Sequence, residues 1–196
     1  MMRIITGRAR GIKLQTLEGE MTRPTSERAK EAIFSMIQFD IEGRRVLDLF
    51  AGSGQMGLEA ISRGAAHVVF VDQAKEAVKI INQNIEKTHF EAESTVVCGD
   101  FSEYLRKNQG REPFDVVFID PPYAMKAVSA AVEALFRYRL LKPTSILVCE
   151  SGEPQPITPG SALMGKLRVV REATYGKAYV TVYTVAEETE FDRKEE

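Results

Sequence analysis

The 196 residues, 44% hydrophobic and 28% charged, suffice for one domain, or one domain with a small appendage, and can bury a core without disulfide staples. The longest apolar runs are strand-sized and the N-terminus lacks an apolar stretch, so neither a membrane-spanning helix nor a secretory leader is expected. A formal net charge of −2 argues against nucleic acid only until its distribution is read: residues 187–196 carry six acids against two bases, a local −4 that leaves +2 for the rest.

In chain order, residues 1–40 form an extension. Arg3-Ile4-Ile5 and Ile12-Lys13-Leu14 alternate about turns at Gly7 and Gly11, which predicts a short hairpin. Residues 3–13 hold Arg3, Arg8, Arg10 and Lys13 and no acid, and Arg23 follows. Together they are candidates for phosphate contacts, although a solvated charged face has the same pattern. Arg23 would guide phosphate or close over a cofactor, or else pair with a nearby acid. Past Pro24, Ser26 can cap a helix over 27–39 whose Ala29, Ile33, Phe34 and Ile37 share one face.

From 41 to 186 the pattern alternates. Apolar runs predict strands at 45–50, 67–71, 94–98, 115–119 and 145–149, with helices over 57–63, 73–88, 101–107 and 126–137 between them. Strongly apolar strands separated by amphipathic helices imply βαβ units and a parallel sheet covered on both faces. Two further β-rich runs, 167–172 and 178–185, meet around Tyr175-Gly176-Lys177 as an antiparallel hairpin. The predicted fold class is α/β: a Rossmann-like sheet of seven mostly parallel strands with an antiparallel C-terminal hairpin, preceded by the N-terminal hairpin and helix; that mixed ending resembles methyltransferase-type Rossmann sheets and is not normal for a dehydrogenase. Residues 187–196 are expected to end the chain as a disordered acidic tail. Cys98 and Cys149 lie in or at the end of apolar runs, predicting buried free thiols, and with only His67 and His89 beside them no metal site is expected.

The first strong strand runs into Asp48-Leu49-Phe50-Ala51-Gly52-Ser53-Gly54-Gln55-Met56-Gly57. Glycines at 52, 54 and 57 permit a tight turn, close approach to a ligand and a helix start. A GxGxxG alone would also suit a dinucleotide. Three acids tilt it toward S-adenosylmethionine. Asp48 can serve an ammonium group through water. Asp72, ahead of Gln73 at the end of the second strand, can hold two ribose hydroxyls, as it could in NAD. Asp100 can accept from an adenine amine while Phe101 packs on the ring. Asp72 and Asp100 both precede helices, so either could also be an N-cap. The cofactor residues expected are Asp48, Phe50, Ala51, Gly52, Ser53, Gly54, Gly57, Asp72, Gln73, Asp100, Phe101 and Asp120.

The fourth strand closes in Asp120-Pro121-Pro122-Tyr123. Two prolines fix φ and remove two N–H groups, leaving a rigid polar ledge that neither extends the sheet nor starts a helix. Asp120 and the Pro121 carbonyl can accept the hydrogens of a planar amine while Tyr123 stacks on the attached ring, as in enzymes that methylate exocyclic amino groups. In isolation the same four residues could be an ordinary strand exit.

With these motifs in place the chain resembles the bacterial 16S ribosomal RNA guanine-N2 methyltransferases of the RsmD type. The resemblance runs from Arg3-Ile4-Ile5-x-Gly7 and Gly11-x-Lys13-Leu14 through Thr22-Arg23-Pro24-Thr25-Ser26-x-Arg28, residues 48–59, Ser62-Arg63-Gly64-Ala65 and Phe114-Asp115 to Asp120-Pro121-Pro122-Tyr123. It implies a cytoplasmic enzyme that uses S-adenosylmethionine and modifies one guanine of small-subunit ribosomal RNA, free or in a subunit or assembly intermediate; a monomer with no membrane and no metal is expected. Rival readings are an adenine-N6 or glutamine-amide methyltransferase, a binding module that has lost the reaction, and, more distantly, a nicotinamide dehydrogenase, for which no His–Asp or Tyr–Lys pair presents itself.

Overall fold

The computed structural model describes residues 2–17, 27–122, 127–157, 163 and 165–186. Seven strands, Arg45–Leu49 (β1), His67–Asp72 (β2), Ser94–Cys98 (β3), Phe114–Ile119 (β4), Leu141–Ser151 (β5), Leu167–Tyr175 (β6) and Ala178–Val185 (β7), form one sheet in the order β3-β2-β1-β4-β5-β7-β6. The first five are parallel, and β7 lies antiparallel between β5 and β6. The helices are Glu27–Met36 (α1), Gln55–Ser62 (α2), Lys75–Thr88 (α3), Phe101–Lys107 (α4) and Val128–Arg137 (α5).

β1, β2 and β4 are buried almost throughout because both faces of the sheet are covered. Alternate residues serve opposite sides. Val46, Val68, Phe70, Val116 and Phe118 pack with Phe34 of α1, Ile61 of α2, Ile81 of α3 and the hairpin residues Met2, Ile4 and Leu14. Leu47, Leu49, Val69, Val117 and Ile119 face Leu105 of α4 and Leu135 of α5. The N-terminal hairpin thus shares a core with the sheet. Arg3 bridges Lys13, and the Ile4 N–H donates to the Ile12 carbonyl at 3.0 Å. α2 starts at the carboxyl end of β1 and returns to the amino end of β2, and the hairpin runs along it. The hairpin turn therefore sits at the amino end of the sheet, where the Arg8 N–H meets the Ser62 carbonyl at 2.9 Å. Its open end, with Met2 beside Ser53, lies at the carboxyl end.

A buried carboxylate fastens this arrangement. Glu59 of α2, fully buried, accepts from the N–H groups of Ile5 (2.8 Å) and Thr6 (3.0 Å), from Arg63 Nε (2.9 Å) and, as an ion pair, from Lys30 Nζ of α1 at 3.2 Å. Lys30, 1% exposed, also donates to the Arg3 carbonyl at 2.6 Å. Burial pulls its pKa below the usual lysine range against the opposing pull of Glu59.

Several expectations shift, β6 running on to Tyr175 and α3 starting only at Lys75 among them. α1 stops at Met36 instead of residue 39: the Asp40 N–H turns to the Ile37 carbonyl at 2.9 Å, and Phe39 is left 88% exposed. β5 begins at Leu141 instead of 145, with a register shift opposite Phe114–Val116. Pro143 falls in that irregular stretch, where no ladder donor is required, and Ser145 Oγ mends it by accepting from the Lys142 N–H and donating to the Phe114 carbonyl. α2 begins at Gln55, so Gly57 sits inside the helix. Cys149 is buried as expected, whereas Cys98 is exposed, because β3 is an edge strand with little cover. Pro24, Ser26 and the acidic tail lie outside the described residues.

Candidate active site at the carboxyl ends of the strands

Strand order reverses between β1 and β4, the place where open α/β sheets build a crevice. Register decides what meets there. Leu49 pairs with Ile119 on one side and Val71 on the other, and Asp72 pairs with Cys98. The next residues out are Asp120, Phe50, Asp72 and Gly99-Asp100, a row across four adjacent strands. Strand spacing of about 4.8 Å puts neighbouring members of this row within reach of one ligand.

The turn after β1 is held from its sides. The N–H groups of Phe50 and Ala51 both donate to the Val71 carbonyl at 3.0 Å, and Phe50 adopts φ +75°, unusual for an aromatic residue. Its ring lies 4.9 Å from that of Phe101. The three loop glycines have three different reasons. Gly52 has φ +54°, and a methyl on it would enter open space, so its bare backbone faces the crevice. Gly54 has φ +77° and ordinary room for a methyl beside Ile81 and Phe70, whereas a methyl on Gly57 would lie 2.2 Å from Phe70 Cε1. Those two face the core and let α2 seat against β2. Ser53 also turns inward, its hydroxyl donating to Met2 Sδ at 3.1 Å, so its side chain does not line the crevice.

The acids are ordered by backbone donors. Asp48 is 4% exposed and its Oδ2 accepts from the Gly57 N–H at 2.9 Å. Burial, reinforced by the charge of Asp72 and opposed by the Gly57 bond, pushes its carboxyl up to about 7. Asp72 accepts from the Gly52 N–H through Oδ2 and the Ala74 N–H through Oδ1, both at 2.8 Å. Asp100 is the N-cap of α4: its Oδ1 takes the N–H of Ser102 at 2.9 Å and of Glu103 at 3.1 Å. The Ser102 side chain foremost, then these amides, hold its carboxyl below the usual range against some burial. Both sequence readings of Asp100 are therefore compatible, since all these bonds fall on one oxygen. Gln73 is exposed at the rim. Asp120 is half-buried, Pro121 buried and Pro122 exposed.

The donor set fits S-adenosylmethionine better than a dinucleotide. Residues 48–57, 70–73, 97–101 and 119–122 include four aspartates and no lysine or arginine. A pyrophosphate would meet that charge unfavourably, while an ammonium and a sulfonium would be welcomed.

The basic residues divide. Arg8 is ion-paired with Glu93 and lies 4.5 Å over the Phe90 ring, at the amino end of the sheet and away from Asp120. Arg3 pairs with Glu27 at 3.0 Å. Arg10 and Lys13 are exposed and make no ion pair among the described residues. A cleft of about 710 Å³ between Thr6–Arg8, residues 61–66 and Glu93 lies at that same amino end. Arg23 and Tyr123 lie outside the described residues.

Residues 2–184 match the family model described as Conserved hypothetical protein 95. The chain belongs to this family, the RsmD family. Its relative from Haemophilus influenzae, named ribosomal RNA small subunit methyltransferase D, is 36% identical over 160 residues, covering 81% of this chain and 83% of that protein. A solved chain from Escherichia coli superposes with a TM-score of 0.82 at 28% identity, covering 95% of this chain and 99% of the other. A solved conserved hypothetical protein from Streptococcus pyogenes gives 0.71 at 38% identity, over 81% and 95%. Within this RsmD-family chain, sequence reasoning missed Glu59, Lys30 and Asn84. Each carried a signal: Glu59 is the one charge in the helix Gln55–Ser62, Lys30 falls on the stripe with Ile33 and Ile37, and Asn84 lies between Ile81 and Thr88 on the buried face of α3.

Proposed function

We propose that this chain transfers the methyl group of S-adenosylmethionine to the exocyclic N2 amine of a guanine in 16S ribosomal RNA. The observation that carries the reading is the register of β1 with β4, which sets Asp120-Pro121-Pro122 beside the glycine turn. The names of the family's relatives support ribosomal RNA as the substrate class. Asp72 would hold the ribose hydroxyls, Asp100 the adenine amine, Phe101 the ring and Asp48 the ammonium, while the backbone at Gly52 admits close approach.

S-adenosylmethionine supplies an electrophilic methyl on sulfur and leaves as a thioether. The guanine N2 lone pair is delocalised into its ring, so the chain has to improve a poor nucleophile. Asp120 and the Pro121 carbonyl accept its two hydrogens, favour a pyramidal nitrogen and aim the lone pair; alignment of this kind contributes on the order of 7–11 kcal/mol. As the N–C bond forms, nitrogen becomes acidic and its proton passes to Asp120 or water. Tyr123 stacks on the base. Because N2 lies on the Watson–Crick edge, the guanine is taken unpaired or flipped out. The N-terminal extension, with Lys13 and Arg23, would contact RNA phosphates.

The test is labelled-methyl transfer to ribosomal RNA from cells lacking this protein, followed by nucleoside analysis. N2-methylguanosine is expected; N6-methyladenosine would replace guanine by adenine as the acceptor, and no label would end the proposal.

A further inference from the structure

Behind the glycine turn, on the side away from the crevice, a buried amide joins two parts of the chain that the proposed reaction needs. Asn84 of α3 is fully buried. Its Nδ2 donates to the Ser53 carbonyl at 2.9 Å and to the Gln15 carbonyl at 3.0 Å, and its Oδ1 accepts from the Gln15 N–H at 2.7 Å. Both hydrogens and the carbonyl of the side chain are thereby used. Ser53 carries a second link, from its hydroxyl to Met2 Sδ. Met2 and Gln15 belong to opposite arms of the hairpin, and the Leu14 N–H ties those arms together by donating to the Met2 carbonyl at 2.9 Å. Ser53, set between Gly52 and Gly54, is thus held from behind by both arms at once.

We propose that Asn84 is a positioning residue that couples the cofactor turn to the N-terminal hairpin, so that filling the S-adenosylmethionine site and fixing the RNA-facing arm form one linked equilibrium. The inference rests on the cofactor reading above. The turn holds Phe50, Gly52 and Gly54 at positive φ, a shape that needs support from its surroundings. Asn84 gives that support by satisfying a carbonyl that would otherwise be buried without a donor. The same side chain fixes Gln15, from which the chain runs on to Arg23. Coupling is reciprocal: whatever a set hairpin adds to cofactor affinity, bound cofactor adds to the order of the hairpin.

Amide hydrogen exchange with and without S-adenosylhomocysteine tests this on the wild-type protein. Exchange at Ile4, Leu14 and Gln15 is expected to slow roughly fivefold or more when the ligand binds. Asn84→Asp keeps the shape and the acceptor for Gln15 but loses both donors, so it is expected to weaken ligand binding by a similar factor and to abolish the slowing. Ligand binding that leaves wild-type exchange unchanged would overturn the coupling alone, as would unaltered affinity in a folded Asn84→Asp protein. No binding by the wild type would overturn the cofactor reading and the coupling with it.

Discussion

The Gly57 N–H donates to Asp48 Oδ2 at 2.9 Å, and this bond is a main-chain anchor for a carboxylate buried beneath the glycine turn. With the folded pKa raised from 3.8 to about 7, the stability tied to the protonated form is fully present below 3.8 and lost as pH rises through 7, a difference on the order of 4 kcal/mol. An ammonium nearby favours the ionised form. S-adenosylmethionine affinity in the wild type is therefore expected to gain, relative to Asp48→Asn, between about pH 6 and pH 8. Titration calorimetry of both proteins checks it, and parallel pH profiles would contradict the assignment.

Gly57→Ala places a methyl 2.2 Å from the Phe70 ring. The overpacking is expected to destabilise the protein by ~1–3 kcal/mol, with Phe70→Leu in the same background restoring part of the loss. Thermal unfolding of the single and double variants measures both.

Glu59→Ala strands the Lys30 charge and the N–H groups of Ile5 and Thr6 in the interior. A loss of about 3–5 kcal/mol is expected in denaturant unfolding. Removing the charge as well, in Lys30→Met with Glu59→Gln, should recover much of it.

Asp120→Ala is expected to abolish methyl transfer while leaving cofactor affinity within a few-fold of the wild type. Measuring turnover and calorimetric binding on the same preparation separates the two, and near-normal turnover would remove Asp120 from the mechanism.

Arg8 was expected among the RNA contacts, yet its pairing with Glu93 and Phe90 ties it to the amino end of the sheet. Arg8→Ala should therefore lose about 0.5–1.5 kcal/mol of stability and little RNA affinity. Arg10 shares the hairpin turn with Arg8, so Lys13→Ala is the variant expected to do the reverse, and it should lower the salt dependence of RNA binding by roughly one phosphate contact's worth.

Much of this was legible in the sequence because strand and helix periods are strong signals in a doubly covered parallel sheet. The runs leading to Phe50, Asp72, Asp100 and Asp120 read as consecutive strands, and the register sets their carboxyl ends side by side. Side-chain direction was harder. Ser53, Gly54 and Gly57 belong to the signature, yet they face the core, since a glycine motif records where Cβ is forbidden and not which neighbour forbids it. Charged residues misled in the opposite sense. Lys30 and Glu59 lie on apolar helix faces, yet nothing local pairs them, since they are 29 residues apart in the chain and separated by the whole of β1. Arg8 finds its acid in Glu93, 85 residues away and beyond any local pattern.

The hairpin of residues 2–15 finds its partners late. Ile5 meets Glu59 across 54 positions and Gln15 meets Asn84 across 69. At synthesis rates of about 5–20 residues per second, Gln15 waits roughly 3–14 s before Asn84 exists to receive it. The hairpin therefore closes onto the sheet only after α2 and α3 exist, and can do so before β4 to β7 are made.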